Sequence, residues 1–168
     1  MKEKTKLMLD NLMDQYQQKL ASAKMNREKI RSEEDVLQSA FKQLKKEVIR
    51  PVMEDFGKQF KARGHEYQIT EEEELLDREG KLPDASITMQ IFPAGINRSA
   101  FRQENTPSIS FIASRNKKKV LVHASNILPN RGGSAGARGG DLMLEEVTSD
   151  LVEQEILGVL NVIFAPRY

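Results

Sequence analysis

The chain has 168 residues, of which 39% are hydrophobic and 30% charged, with a net charge of +1 and no cysteine. The near-zero net charge excludes a global electrostatic attraction to nucleic acid or membrane. The absence of cysteine excludes disulfides, thiolate catalysis and cysteine-based zinc sites. The length predicts one compact domain or a smaller domain with an extension, and the low hydrophobic share is typical of a long exposed helix.

The first fifty residues contain neither glycine nor proline, and their apolar residues follow a helical repeat. From Leu9 to Val48 the steps alternate between four and three residues, which is the repeat of a coiled-coil seam. Arg27 and Glu34 interrupt this seam. They indicate either a weak, solvated stretch or a pair of charges that fixes register and orientation with a partner. The predicted oligomerisation seam comprises Leu9, Met13, Tyr16, Leu20, Ile30, Leu37, Phe41 and Leu44.

The helix is predicted to run from about residue 2 to about residue 63 and to end at Gly64. Pro51 predicts a kink or a boundary because it lacks a backbone donor. A helical hairpin turning near Ser32 is the alternative, although that stretch lacks glycine and proline. We therefore expect a helical stalk for oligomerisation at residues 1–47 and an α+β domain at residues 48–168.

The middle of the chain alternates apolar and polar residues with a period of two. Segments 86–92, 108–113 and 119–127 each place apolar side chains on one face, and a weaker strand begins at Tyr67. Such alternation predicts an antiparallel sheet with one polar face. Residues 115–118 predict a tight hairpin, with Asn116 as its left-handed residue.

The last part predicts a glycine-rich loop at 129–140, a short strand at 141–144 and a helix capped by Thr148. The apolar stripe of this helix should pack on the sheet, with the second half of the N-terminal helix beside it. The predicted fold is α+β: a long N-terminal helix, an antiparallel sheet of four or five strands and a C-terminal helix. The stripe comprises Val152, Ile156, Val159, Leu160 and Ile163.

Candidate catalytic groups are few. His65 and His123 are the only histidines, and neither has a serine or carboxylate at a recognised spacing. The acidic run 71–74 lacks the spaced ligands and turning glycine of a calcium loop, so it is interpreted as a solvated strand end or edge. We predict no catalytic residue, no metal site and no cofactor.

Charge separates along the sheet region. Residues 65–84 contain eight acidic and two basic residues, whereas residues 98–140 contain eight basic residues and one acidic residue. Residues 131–140 also carry two Arg-Gly-Gly triplets, which indicate either a flexible connection or binding to single-stranded nucleic acid. The candidate phosphate or nucleic-acid contacts are Arg115, Lys117, Lys118, Lys119, Arg131 and Arg138.

The leading hypothesis is a non-enzymatic interaction or scaffold protein that forms a homodimer through its N-terminal helix and presents its body to an unidentified protein partner. The alternative is a nucleic-acid-binding protein that uses the basic stretch 98–140. An enzyme is the third hypothesis. The polar start of the chain and the lack of a long apolar stretch predict no signal peptide and no membrane span, so we expect a cytoplasmic protein.

Overall fold

The computed structural model describes residues 2–73 and 84–165. It begins with a helical run that no loop interrupts: helix α1 (Glu3–Leu44), a π-turn (Lys45–Ile49) and helix α2 (Arg50–Ala62). The prediction of a long helix without a hairpin is therefore confirmed, and the alternative turn near Ser32 is wrong.

Helix α2 ends at the predicted glycine. Gly64 has a φ of 86°, a left-handed conformation that glycine adopts without strain. The Gly64 N–H donates to the Lys61 carbonyl at 3.1 Å, and the His65 N–H donates to the Phe60 carbonyl at 2.9 Å. This pair of hydrogen bonds is the Schellman motif, which satisfies carbonyl groups that the end of a helix leaves open.

The chain forms two compact units, Met1–Val36 and Leu37–Tyr168. The first unit consists of helix α1 up to its boundary. The second contains the end of α1, the π-turn, α2, the sheet and the last helix. Residues 37–47 thus group with the second unit, while the predicted division into an oligomerisation segment and a domain stays a prediction.

Five antiparallel strands form one sheet with the simple order β1-β2-β3-β4-β5. Its register places Ile87 opposite Phe111 and Phe111 opposite Val122, so that buried residues from three strands share one face. The predicted alternation and the antiparallel sheet are therefore confirmed. The strands are β1 (Glu66–Glu72), β2 (Ser86–Phe92), β3 (Ser108–Ser114), β4 (Lys119–Ser125) and β5 (Ala135–Ala137).

Three local expectations are wrong. The left-handed residue of the β3–β4 hairpin is Lys118, with a φ of 56°, rather than Asn116. The fifth strand lies inside the segment predicted to be a glycine-rich loop. The predicted strand at 141–144 is replaced by a single bridge between Leu142 and Val120, followed by a 3₁₀-helix at Leu144–Glu146.

The C-terminal helix α3 (Ser149–Phe164) begins and packs as predicted. The Leu151 N–H donates to the Thr148 hydroxyl at 3.3 Å, which caps the helix. Helix α3 contacts β3 and α2, and the ring centroids of Phe60 and Phe164 are 6.4 Å apart. All five residues of the predicted stripe are buried: Val152, Ile156, Val159, Leu160 and Ile163.

The π-turn changes which residues face the core. Phe41, Lys45, Ile49 and Met53 are all buried although each lies four residues after the last. Steps of four overshoot an α-helical turn of about 3.6 residues, so four such residues drift around a straight helix. The π-turn absorbs this drift because the Arg50 N–H reaches back five residues to the Lys45 carbonyl.

Pro51 explains the position of this turn. Its ring would clash with the carbonyl of Glu47 in a regular α-helix, and it cannot donate a hydrogen bond. The wider turn ends at Ile49, two residues before Pro51. The sequence pattern had placed Leu44 and Val48 on the seam, but the structure leaves both only partly buried against the core.

A close approach between α2 and β1 requires a glycine. A Cβ added to Gly57 would lie 2.2 Å from the Cζ atom of the Tyr67 ring. The ring is a rigid body, so it must move as a whole to accept a methyl group.

We expect Gly57→Ala to lower the free energy of unfolding by about 1–3 kcal/mol, measured by denaturant unfolding. Gly158→Ala is the matched control. There the added Cβ would meet only the tip of the Arg138 side chain, which can swing aside. The loss should be smaller when Gly57→Ala is combined with Tyr67→Ser. Equal losses in the free energy of unfolding for the two glycine variants would contradict the close packing at Gly57.

Candidate functional site

Exposed apolar side chains concentrate on helix α1 in the first unit. Within the described residues 2–36 they follow one another closely, and nothing in that unit covers them. A helix normally buries its apolar stripe against another element. The exposed residues are Leu7, Met8, Leu9, Leu12, Met13, Tyr16, Leu20, Met25, Ile30 and Val36.

Five of the predicted seam residues belong to this exposed set. Their exposed fractions range from 41% at Leu9 to 61% at Tyr16, with Met13, Leu20 and Ile30 between these values. Steps of three or four residues from Leu9 to Leu20, and one step of ten residues to Ile30, place them on one face of α1. The structure thus leaves this part of the seam accessible, and its contact with a second chain stays a prediction.

The other three predicted seam residues lie in the second unit. Leu37 is 4% exposed and Phe41 is fully buried in the core of the second unit. Leu44 packs partly buried against the same core. The seam is therefore corrected: Leu37 and Phe41 are buried within their own chain, so a seam open to a partner ends before them.

The seam also omitted Leu12, which is 61% exposed. Leu12 lies three residues after Leu9 and four before Tyr16, so it belongs to the same helical face. This spacing would have identified Leu12 as part of the apolar face from the sequence alone. Leu7 and Met25 are exposed on the other side of the helix, as their spacing from the seam requires.

A chain of polar contacts joins the π-turn and α2 to strand β1. Glu71 pairs with the buried Lys45 at 3.9 Å and with Arg50 at 2.7 Å. Arg50 also lies 3.5 Å from Glu54, and Glu54 accepts a hydrogen bond from the Tyr67 hydroxyl at 2.9 Å. Part of the acidic run is thus an ion-pair partner for the helix, whereas Glu74 at its end lies outside the described residues.

Lys45 is the deepest charge in this chain of contacts. It is 3% exposed, and its ammonium group lies 5.5 Å from the centroid of the Phe41 ring. Taking a charge out of water is costly unless a counter-charge or an aromatic face compensates it. Glu71 provides that counter-charge.

We expect Glu71→Gln to destabilise the protein by about 1–3 kcal/mol, since Lys45 would stay buried without its counter-charge while solvent moderates the loss. Lys45→Met should cost less because it removes the buried charge itself. The exposed neighbour Glu72, changed to Gln, is the control. Denaturant unfolding of the single and double variants gives the coupling free energy between Glu71 and Lys45. Additive losses from Glu71→Gln and Lys45→Met would contradict the pairing.

The hydrogen bond to Glu54 also affects Tyr67. This bond, burial and the charge of Glu54 raise the pKa of the Tyr67 hydroxyl above 10.0, and Arg50 opposes them. Because the folded-state pKa is raised, this contribution to stability is complete below pH about 10 and is lost as the pH rises through the folded pKa.

We expect Glu54→Gln to lower the pKa of Tyr67 toward the ordinary value. The measurement is a titration of tyrosinate absorbance in a background with Tyr16→Phe and Tyr168→Phe, which leaves Tyr67 as the remaining tyrosine. Glu66→Gln, a change at an exposed carboxylate on the same strand, is the control and should leave the titration unchanged. An unaltered titration in Glu54→Gln would exclude the hydrogen bond as the cause.

Three of the six predicted phosphate contacts form ion pairs within the chain. Lys117 lies 3.6 Å from Asp141, and Arg138 lies 2.7 Å from Glu155. Arg115 lies 3.6 Å from Asp84. Acidic residues from neighbouring segments thus neutralise three of the six candidates.

The structure distributes the six candidates over separate places. Arg115, Lys117, Lys118 and Lys119 lie at the β3–β4 hairpin or at the start of β4, and Arg138 follows β5. The remaining residue, Arg131, lies in the segment beyond the opposite end of β4, roughly 20 Å of strand away. Nucleic-acid binding through the basic stretch stays a prediction.

The two histidines occupy different surroundings. His123 is exposed on the polar face of β4, as its alternation with Val122 predicted. His65 is half-buried, accepts a hydrogen bond from the Ala94 N–H at 2.8 Å, and packs 5.0 Å from the Phe164 ring centroid. Over residues 2–73 and 84–165, the structure contains no group of three histidines or carboxylates that could hold a metal ion.

A cavity of about 170 Å³ lies beside the end of α1 in the second unit. Gln38, Lys42, Lys45, Glu73 and Ala85 contribute to its lining. The amide of Gln38 is buried there without a hydrogen-bond partner among the described residues. Lys45 is already paired with Glu71, and we assign no cofactor to this cavity.

The sequence matches no protein-family model, and comparison with curated proteins and with solved structures gave no significant match. None of the described helices has the length and apolar character needed to cross a bilayer. Function must therefore be argued from the surfaces of the molecule itself.

Proposed function

We propose that this protein is a non-enzymatic interaction or scaffold protein that forms a homodimer through the first unit of helix α1. The observation that supports the proposal is the exposed apolar face of that unit. Its members at the centre of the seam are Leu9, Met13, Tyr16 and Leu20. The α+β body would be the part that meets another protein.

The physical argument starts from the marginal stability of single helices. A helix without a packing partner is only marginally stable in water, and helices in proteins draw most of their stability from packing of an apolar face. Each apolar side chain that a second helix covers contributes roughly 25 cal/mol per Å² of buried apolar area. A row of such side chains on one helical face is typical of a protein interaction surface.

A second copy is the simplest partner for this face. The steps of four and three residues are the repeat by which two helices wind around each other. The helix supplies this repeat by itself, so two copies can bury the face without another component. Ile30 continues the seam between the charged positions 27 and 34, whereas Leu37 and Phe41 take no part because they are buried in the second unit.

We expect the wild-type chain to be a dimer at micromolar concentration and Tyr16→Glu/Leu20→Glu to be a monomer. Four charges placed in the seam of a dimer should raise its dissociation constant more than about a hundredfold. The measurement is multi-angle light scattering over a concentration series, with circular dichroism to follow helix content.

The matched control is Leu7→Glu/Met25→Glu, which changes exposed apolar residues on the opposite side of the same helix. This variant should stay a dimer. A wild-type chain that is monomeric throughout the series would contradict the proposal, as would loss of the dimer in the control.

A further inference from the structure

The two charged seam residues distinguish the possible orientations of a dimer. In heptad notation Leu9, Tyr16 and Ile30 occupy d positions, while Arg27 and Glu34 occupy a positions. A parallel in-register pair places each a residue against its own copy. Arg27 would then face Arg27 and Glu34 would face Glu34, which puts like charges together in two layers of the seam.

The flanking positions also disfavour a parallel pair. In that arrangement each g residue lies near the e residue five positions further along the second copy. Lys19 at g would meet the second copy's Lys24 at e. The other g–e combinations of the first unit join no opposite charges: they pair Thr5 with Asp10, Leu12 with Gln17 and Asn26 with Arg31.

The e edge of the helix is divided by charge. Glu3 and Asp10 lie near its beginning, whereas Lys24 and Arg31 lie near its end. Antiparallel helices bring e edges together and run them in opposite directions. The acidic beginning of one edge then lies beside the basic end of the other, at both ends of the dimer.

We propose, on the basis of the dimer proposed above, that the second copy binds in the antiparallel orientation with Met13 facing its Ala23 and Tyr16 facing its Leu20. In this register residue 2 faces residue 34, so the helices overlap along the length of the first unit, which ends at Val36. Arg27 then faces Leu9, and Glu34 faces Lys2, so neither charged seam residue meets its like.

Disulfide cross-linking tests the orientation directly, because the chain contains no cysteine. Full-length Met13→Cys and Ala23→Cys variants are mixed under reducing conditions and then oxidised. The antiparallel register predicts a disulfide between the two variants in the mixture and little cross-linking of either variant alone. The two copies of residue 13 would be about 15 Å apart along the axis, which a disulfide cannot span.

The alternative outcomes are distinct. Efficient cross-linking of Met13→Cys with itself would overturn the antiparallel orientation. Preferential cross-linking to Tyr16→Cys or Ile30→Cys would overturn the register, since these positions face residue 13 in the neighbouring antiparallel registers. A chain that is monomeric by light scattering would reject the dimer itself, whereas a cross-linked dimer of another geometry would reject only this inference.

A charge reversal tests the orientation of the dimer without an introduced cysteine. In an antiparallel dimer Lys24→Asp removes an attraction to the acidic end of the second copy, so the dissociation constant should rise roughly three- to tenfold. In a parallel dimer the same change replaces a Lys–Lys contact by a Lys–Asp contact, so the constant should fall. Combining Lys24→Asp with Asp10→Lys should restore the antiparallel dimer, and a tighter dimer from Lys24→Asp alone would overturn the proposal.

Discussion

The π-turn at Lys45–Ile49 is the constraint on which the body of this protein depends. It lets Phe41, Ile49 and Met53 point into one core although steps of four residues would carry them around a regular helix. Pro51 fixes its place because the proline excludes a regular helical turn before it. Both sides of the turn can therefore contribute to the same core without a loop.

This packing also determines where an interaction surface can lie. Leu37 and Phe41 are buried, so a partner cannot reach the end of the coiled-coil repeat. The exposed apolar face therefore belongs to the first unit. The same region places Lys45 in the core, where Glu71 compensates its charge. Three charges of the basic stretch are similarly paired with nearby carboxylates, and the α1 face is the feature that best supports a function.

Much of the fold could be predicted because local chemistry decides it. Gly64 ends the helix since it accepts a left-handed conformation, and Thr148 begins α3 since its hydroxyl accepts a backbone N–H. Two errors arose because pairing with a neighbouring strand, rather than local sequence, decides whether a segment becomes a strand. The Ala135–Ala137 segment has no pattern of its own and becomes a strand by pairing with β4, whereas 141–144 makes only one bridge. Lys45 was missed because no hydrophobic repeat includes a lysine.

The sequence by itself determined the long helix, the antiparallel sheet, the C-terminal helix and the repeat on α1, because each follows from the spacing of apolar residues and from local caps. Tertiary structure decided which part of that repeat is open. The same apolar spacing continues from Leu9 to Phe41, yet one end is exposed and the other is buried. Periodicity reports that a face is apolar, and only packing shows whether its own chain already covers it.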